Sequence, residues 1–150
     1  MQPEWNGIER RLDELSERLA RLEALQGKAR SEFDQDPYLR DIVERNLEIA
    51  VQCCIDISHR IISLEGARKP TSYYDAILRM SELGVLPAEF ARQLAPLAGL
   101  RNVLAHEYAS IDWDRVYDRL QHLEDLKRFA NLVRAWLRER DQHREQTTDE

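Results

Sequence analysis

The stretch DPYLRDIVERNLEIAVQCCIDISHRIISLEG, residues 36–66, decides the fold. Between Pro37 and Gly66 it contains no helix breaker, and its apolar residues occupy most of a helical circumference, so the spacing predicts one long, central helix. Asp36 offers an acceptor side chain at the N-cap, Pro37 lacks only an N–H that the first turn cannot use, and Gly66 suits the stop. One polar stripe interrupts the apolar surface: Arg45, Glu48, Gln52, Asp56, His59, Arg60 and Ser63 recur at spacings of one, three or four. Most of it reads as a solvated face, with Asp56 the exception expected to support a functional site.

Working outward, Ile8, Leu12, Leu15, Leu19 and Leu22 form the seam of a first amphipathic helix, closed by Gly27. After Pro70, SYYDAILRMSELG predicts a short third helix with Ser72 and Asp75 as a capping pair and Gly84 as its end. Pro87 opens a fourth, with Phe90, Leu94, Leu97, Leu100 and Leu104 inward and Pro96 expected to bend or break it. Asp112 caps a fifth, whose core stripe is Val116, Leu120, Leu123, Leu126, Ala130, Val133 and Leu137. No segment alternates at period two. The expectation is an all-α, antiparallel bundle of about five helices forming a single domain over residues 1–140, with residues 141–150 a polar tail prone to fray.

The chain of 150 residues is long enough for one domain with a real core, and 43% hydrophobic with 33% charged residues is a globular composition. No apolar run is long enough to cross a bilayer, and the N-terminus lacks a secretory pattern, so the expected location is the cytoplasm, without a membrane. Cys53 and Cys54 are adjacent in an apolar helix and read as buried hydrophobes rather than disulfide or metal ligands. His59, His122 and His143 have no partner spacing for a metal site, and Trp5, Trp113 and Trp136 read as packing residues. A net charge of −6 argues against nucleic-acid binding by bulk electrostatics, so any such contact must be local.

The chemistry is concentrated in LRNVLAHEYASIDW, residues 100–113. Arg101 offers a planar fork of donors for two phosphate oxygens, and His106 can exchange a proton near neutral pH. Metal-free RNA cleavage requires a base for the ribose 2′-OH, an acid for the leaving 5′-oxygen and a cation beside the developing phosphorane charge, and histidine and arginine are residue types that supply these. Asn102, four residues before His106, shares its helix face and can orient the imidazole, whereas Arg101 points elsewhere on a continuous helix. Either the helix ends near His106, or Arg and His come from different chains. A carboxylate at Asp56 near His106 would raise its pKa and fix its tautomer. The plainer readings are a helix-capping His106, a surface ion-pairing Arg101, a helix-end Asn102 and a half-buried Tyr108.

Arg101, Asn102, His106 and Tyr108 fit Arg-Asn-x3-His and Arg-x4-His-x-Tyr, and in this the chain resembles the HEPN superfamily, specifically its HepT-type toxins. RNLEIAVQCCIDISHRII, YYDAILRMSELGVL and IDWDRVYDRLQHLEDLKRF look like the same family in the same order, from about Asp36 to Phe129. The resemblance implies a homodimeric, metal-independent ribonuclease in which two copies of the motif face one cleft, with Arg101, Asn102 and His106 catalytic and RNA as substrate. It further implies the toxin of a bacterial type VII toxin–antitoxin system. Its partner would be a minimal nucleotidyltransferase antitoxin that uses ATP and magnesium to attach AMP to Tyr108; the nuclease itself would need no cofactor. A non-catalytic helical adaptor for the nucleotidyltransferase, or a stand-alone coiled-coil-like protein, are the competing readings.

Overall fold

The computed structural model describes residues 5–106 and 111–148, with backbone alone at His106 and Thr148. No strand occurs among them. In chain order they form α1 (Asn6–Leu25), α2 (Arg30–Gln35), α3 (Pro37–Leu64), α4 (Tyr73–Glu82), α5 (Ala88–Leu94), α6 (Leu97–His106), α7 (Trp113–Gln121) and α8 (Glu124–Thr148).

The bundle is organised around α3, as its sequence requires. Asp36 Oδ1 accepts from the backbone N–H groups of Tyr38 and Leu39 at 3.0 and 3.2 Å, starting the helix where expected. Residues on most of its circumference, from Val43 to Ile62, are buried, and every other helix except α5 packs against it substantially. The seam of α1 lies along it with Ile8, Leu12, Leu15, Leu19 and Leu22 all buried, the same five residues that the spacing singles out. α8 closes against both. Trp5 and Trp136 meet edge to face at 5.5 Å, joining the start of α1 to α8.

Among the described residues eight helices replace the expected five or so, for three local reasons. Pro96 divides the expected fourth helix outright: it has no N–H for the preceding turn, and Ala98 and Gly99 restart hydrogen bonding on the carbonyls of Ala95 and Pro96. The expected fifth helix divides at His122, where no glycine or proline gives warning. There the backbone N–H of His122 turns to the Arg119 carbonyl, while its ring Nδ1 lies 2.8 Å from the Asp118 carbonyl that the helix would otherwise use. Finally, Arg30–Gln35, a segment for which the sequence suggests no helix, winds into α2. Its Glu32 carboxylate accepts from the Ala29 N–H, and Phe33 is driven inward against Trp113 and Tyr117 at 5.5 and 5.9 Å. α8 runs on through residues 141–148 as a largely exposed polar helix.

Two of the expected stops work through glycine's freedom at positive φ. Gly66 and Gly84 stand at φ 67° and 77°, and in each case the next residue donates to a carbonyl five residues back, Ile62 or Met80. Gly27 follows α1 without that conformation. Gly84→Ala is therefore expected to lower stability by about 1 kcal/mol, the cost of a Cβ in the left-handed region, and Gly27→Ala to cost less. Urea unfolding monitored by circular dichroism reads the difference.

Candidate functional site

α6 carries the motif and shows why its first residue faces where it does. Leu97, Leu100 and Leu104 are buried against the core, and Arg101, one turn beyond Leu97 and just off that apolar face, is half-buried toward the polar stripe of α3. Its Nε donates to Gln52 Oε1 at 2.7 Å. Gln52 in turn donates through Nε2 to Asp56 Oδ1 at 2.7 Å, and the other oxygen of Asp56 lies 3.1 Å from Arg11 Nη1. A continuous polar chain thus links α6, two successive turns of α3, and α1. From α4, the ring of Tyr73 stands 5.5 Å from the Arg101 guanidinium carbon and meets His59 edge-on at 5.7 Å.

The polar stripe is therefore not simply solvated. Arg45, Arg60 and Ser63 are exposed, whereas Glu48, Gln52, Asp56 and His59 are half-buried as the wall of a groove between α1, α3 and α6. A cavity of about 360 Å³ opens beside Arg101, with Arg18 and Arg45 on its sides and Glu14 and Glu48 opposing them. A second, of about 470 Å³, lies on the far side of the Arg11–Asp56 ion pair and adds Arg60. Around the two cavities five arginines face three carboxylates, a local cationic excess on a chain of net charge −6.

Of the residues singled out by sequence, Arg101 and Asp56 belong to one connected network through Gln52. Asn102 is exposed, its Oδ1 3.4 Å from Arg101 Nη1. The backbone of His106 is the last described residue of α6, and its side chain lies outside the described atoms; so do Tyr108 and, with it, any contact between His106 and Asn102 or Asp56. Because α6 is helical from Leu97 to His106, positions 101 and 106 leave it about 140° apart. Gln52 and Tyr73 are the members that sequence reasoning passed over. The i,i+4 spacing of Gln52 and Asp56 on a single stripe was the available signal for the first; nothing local marks Tyr73.

Cys53 borders the first cavity but is no nucleophile. Burial pushes its thiol up to about 12 and raises Cys54 well above the usual range. Both stay protonated at neutral pH. No group of three His, Cys, Asp or Glu among the described residues could hold a metal ion, and no described helix is long and apolar enough to cross a membrane.

Comparison with known proteins adds a consistent set of likenesses. A family model described as "Ribonuclease HepT-like" matches residues 10–133. The chain is 31% identical over 106 residues to the "mRNA nuclease HepT" of Shewanella oneidensis, covering 70% of this chain and 80% of that protein. It is 32% identical over 110 residues to the "tRNA nuclease HepT" of Aphanizomenon flos-aquae, covering 73% and 75%. Among solved structures, the tri-AMPylated Shewanella oneidensis HEPN toxin in complex with its MNT antitoxin superposes with a TM-score of 0.78 at 27% identity, over 90% of this chain and 99% of that one.

Native protein treated with iodoacetamide at pH 8 is expected to keep both thiols, and the same protein in denaturant to lose both, read as mass additions in intact-mass spectra. Alkylation of the folded chain would show Cys53 reachable from the cavity as thiolate.

Proposed function

Because the chain belongs to the HepT-like ribonuclease family, we propose that it is the toxin of a toxin–antitoxin pair, a metal-independent nuclease that cuts RNA and is silenced by AMP attached to Tyr108. The observation that carries the reading is the seating of Arg101. It lines the first cavity with its Nε committed to Gln52 and its guanidinium facing Tyr73, so the cation is held in one orientation before substrate arrives. Such preorganisation is what stabilising a developing phosphorane charge demands.

In the reaction, one imidazole takes the proton of a ribose 2′-OH, the freed oxygen attacks the adjacent phosphorus, and the P–O5′ bond breaks. The leaving oxygen collects a proton from an acid, and a 2′,3′-cyclic phosphate remains. Arg101 neutralises the non-bridging oxygens throughout. His106 supplies one proton-transfer group per chain, and its position about 140° from Arg101 around α6 favours a homodimer in which two copies of the motif complete one cleft. Asn102, on the same face as position 106, orients the imidazole. Asp56 holds Gln52, and through it the guanidinium of Arg101, in place.

The partner is a minimal nucleotidyltransferase antitoxin. The phenol oxygen of Tyr108 attacks the α-phosphorus of ATP held with magnesium on that partner, pyrophosphate leaves, and the AMP left beside the cleft repels RNA phosphate.

Co-expression with such a partner, followed by intact-mass measurement and assay on RNA, tests the reading. His106→Ala and Arg101→Ala are expected to lower cleavage at least a hundredfold, and Tyr108→Phe to abolish adenylate-sized additions while leaving cleavage. Gln52→Ala is expected to lower kcat about tenfold with an unchanged melting temperature, because Arg101 loses its orientation but not its charge. Cleavage by the His106→Ala protein at the parent's rate would withdraw the catalytic assignment, and an inert parent that still binds the nucleotidyltransferase would favour an adaptor.

A further inference from the structure

The second cavity, between the first turns of α1 and the C-terminal half of α3, has no part in the chemistry just described. It is the larger of the two, about 470 Å³, and Arg11, His59, Arg60 and Ser63 bring donors to its walls. Most arginines of the groove are already answered by a carboxylate: Arg11 by Asp56, Arg18 by Glu14, and Arg45 by Glu48. Arg60 is exposed and has no ion-pair partner among the described residues. Beside it, His59 Nε2 is withdrawn from solvent with no hydrogen-bond partner among the described residues, although its ring is fixed edge-on by Tyr73. An unanswered cation and an unanswered ring nitrogen at one cavity fit an anionic ligand with several acceptor oxygens.

Two features indicate which anion. Arg11 lines both cavities, so they are neighbouring segments of one groove, and the ring of Tyr73 touches both Arg101 and His59. Along α3, Gln52 and Arg60 are separated by about 12 Å of helical rise. That is too far for one phosphate to touch both, and it suits a polyanion with regularly spaced charges. We propose that the Arg60 cavity is a second phosphate subsite, which holds a linkage of the same RNA strand at a distance from the one cut beside Arg101. The inference rests on the ribonuclease reading and extends it. The enzyme contacts backbone beyond the scissile bond, so it discriminates by strand length.

The test uses the full-length protein and fluorescein-labelled RNA in which every 2′-OH is methylated, so that nothing is cut. A dinucleotide and a decanucleotide are compared by fluorescence anisotropy across a salt series. Arg60→Ala is expected to weaken decanucleotide binding three- to tenfold and to reduce the slope of log affinity against log salt by about 0.7, one single-strand phosphate contact. Dinucleotide binding is expected to stay unchanged, and Arg60→Lys to recover the slope. Arg60 is exposed, so the variants are expected to melt with the parent. Equal affinity and slope for parent and Arg60→Ala on the decanucleotide overturns the subsite, as does an equal loss on both lengths, which would place Arg60 at the scissile linkage. Failure of the parent to bind either RNA overturns the nuclease reading itself, and the subsite with it.

Discussion

A long helix that is apolar around most of its circumference is stable in water only when other helices wrap it, and this constraint on α3 shapes the rest of the molecule. α1, α4, α6 and α8 take its apolar faces. Its one polar stripe cannot be covered by the same means, because half-buried Glu48, Gln52, Asp56 and His59 need polar partners. For Gln52 and Asp56 the bundle supplies them from the edges of the packed helices, Arg101 from α6 and Arg11 from α1, whereas Tyr73 of α4 only sets its ring edge-on to His59. The groove is thus a consequence of how the core is covered, and its lining is set by which side chains stand at the rims.

The same logic places Arg101, the proposed catalytic cation. An arginine beside Leu97, Leu100 and Leu104 must leave the core at the helix edge, where its Nε meets the amide oxygen of Gln52. That amide is itself held by Asp56, and Asp56 by Arg11, so the orientation of Arg101 is backed by three helices instead of by one flexible contact. The charge balance follows. The chain as a whole is acidic, yet the groove is locally cationic, and on the proposed reading this is where RNA phosphate is met.

Much of this could be read from residue order. The seam of α1, the Asp36–Pro37 start and Gly66 end of α3, the Ser72 and Asp112 caps, and the packing roles of the tryptophans all follow from local rules, and each stands as those rules dictate. The division at Pro96 was legible as a break or bend; the division at His122 was not, because it depends on a side-chain nitrogen displacing a backbone donor. α2 escaped because six residues carry too little periodicity to register. In the site, Arg101 was identified from its motif, but the residue that holds it was not. Gln52 lies forty-nine positions away, and only the packing of α6 on α3 joins them.

Because α6 presents Arg101 and position 106 on different sides, the proposed site draws on two copies of the chain. Mixing the Arg101→Ala and His106→Ala proteins under conditions that exchange subunits, with the mixed dimer verified by native mass spectrometry, tests this most directly. RNA cleavage in the mixture is expected well above that of either variant alone, since one protomer contributes the intact guanidinium and the other the intact imidazole. A verified mixed dimer as inactive as its parents would contradict it.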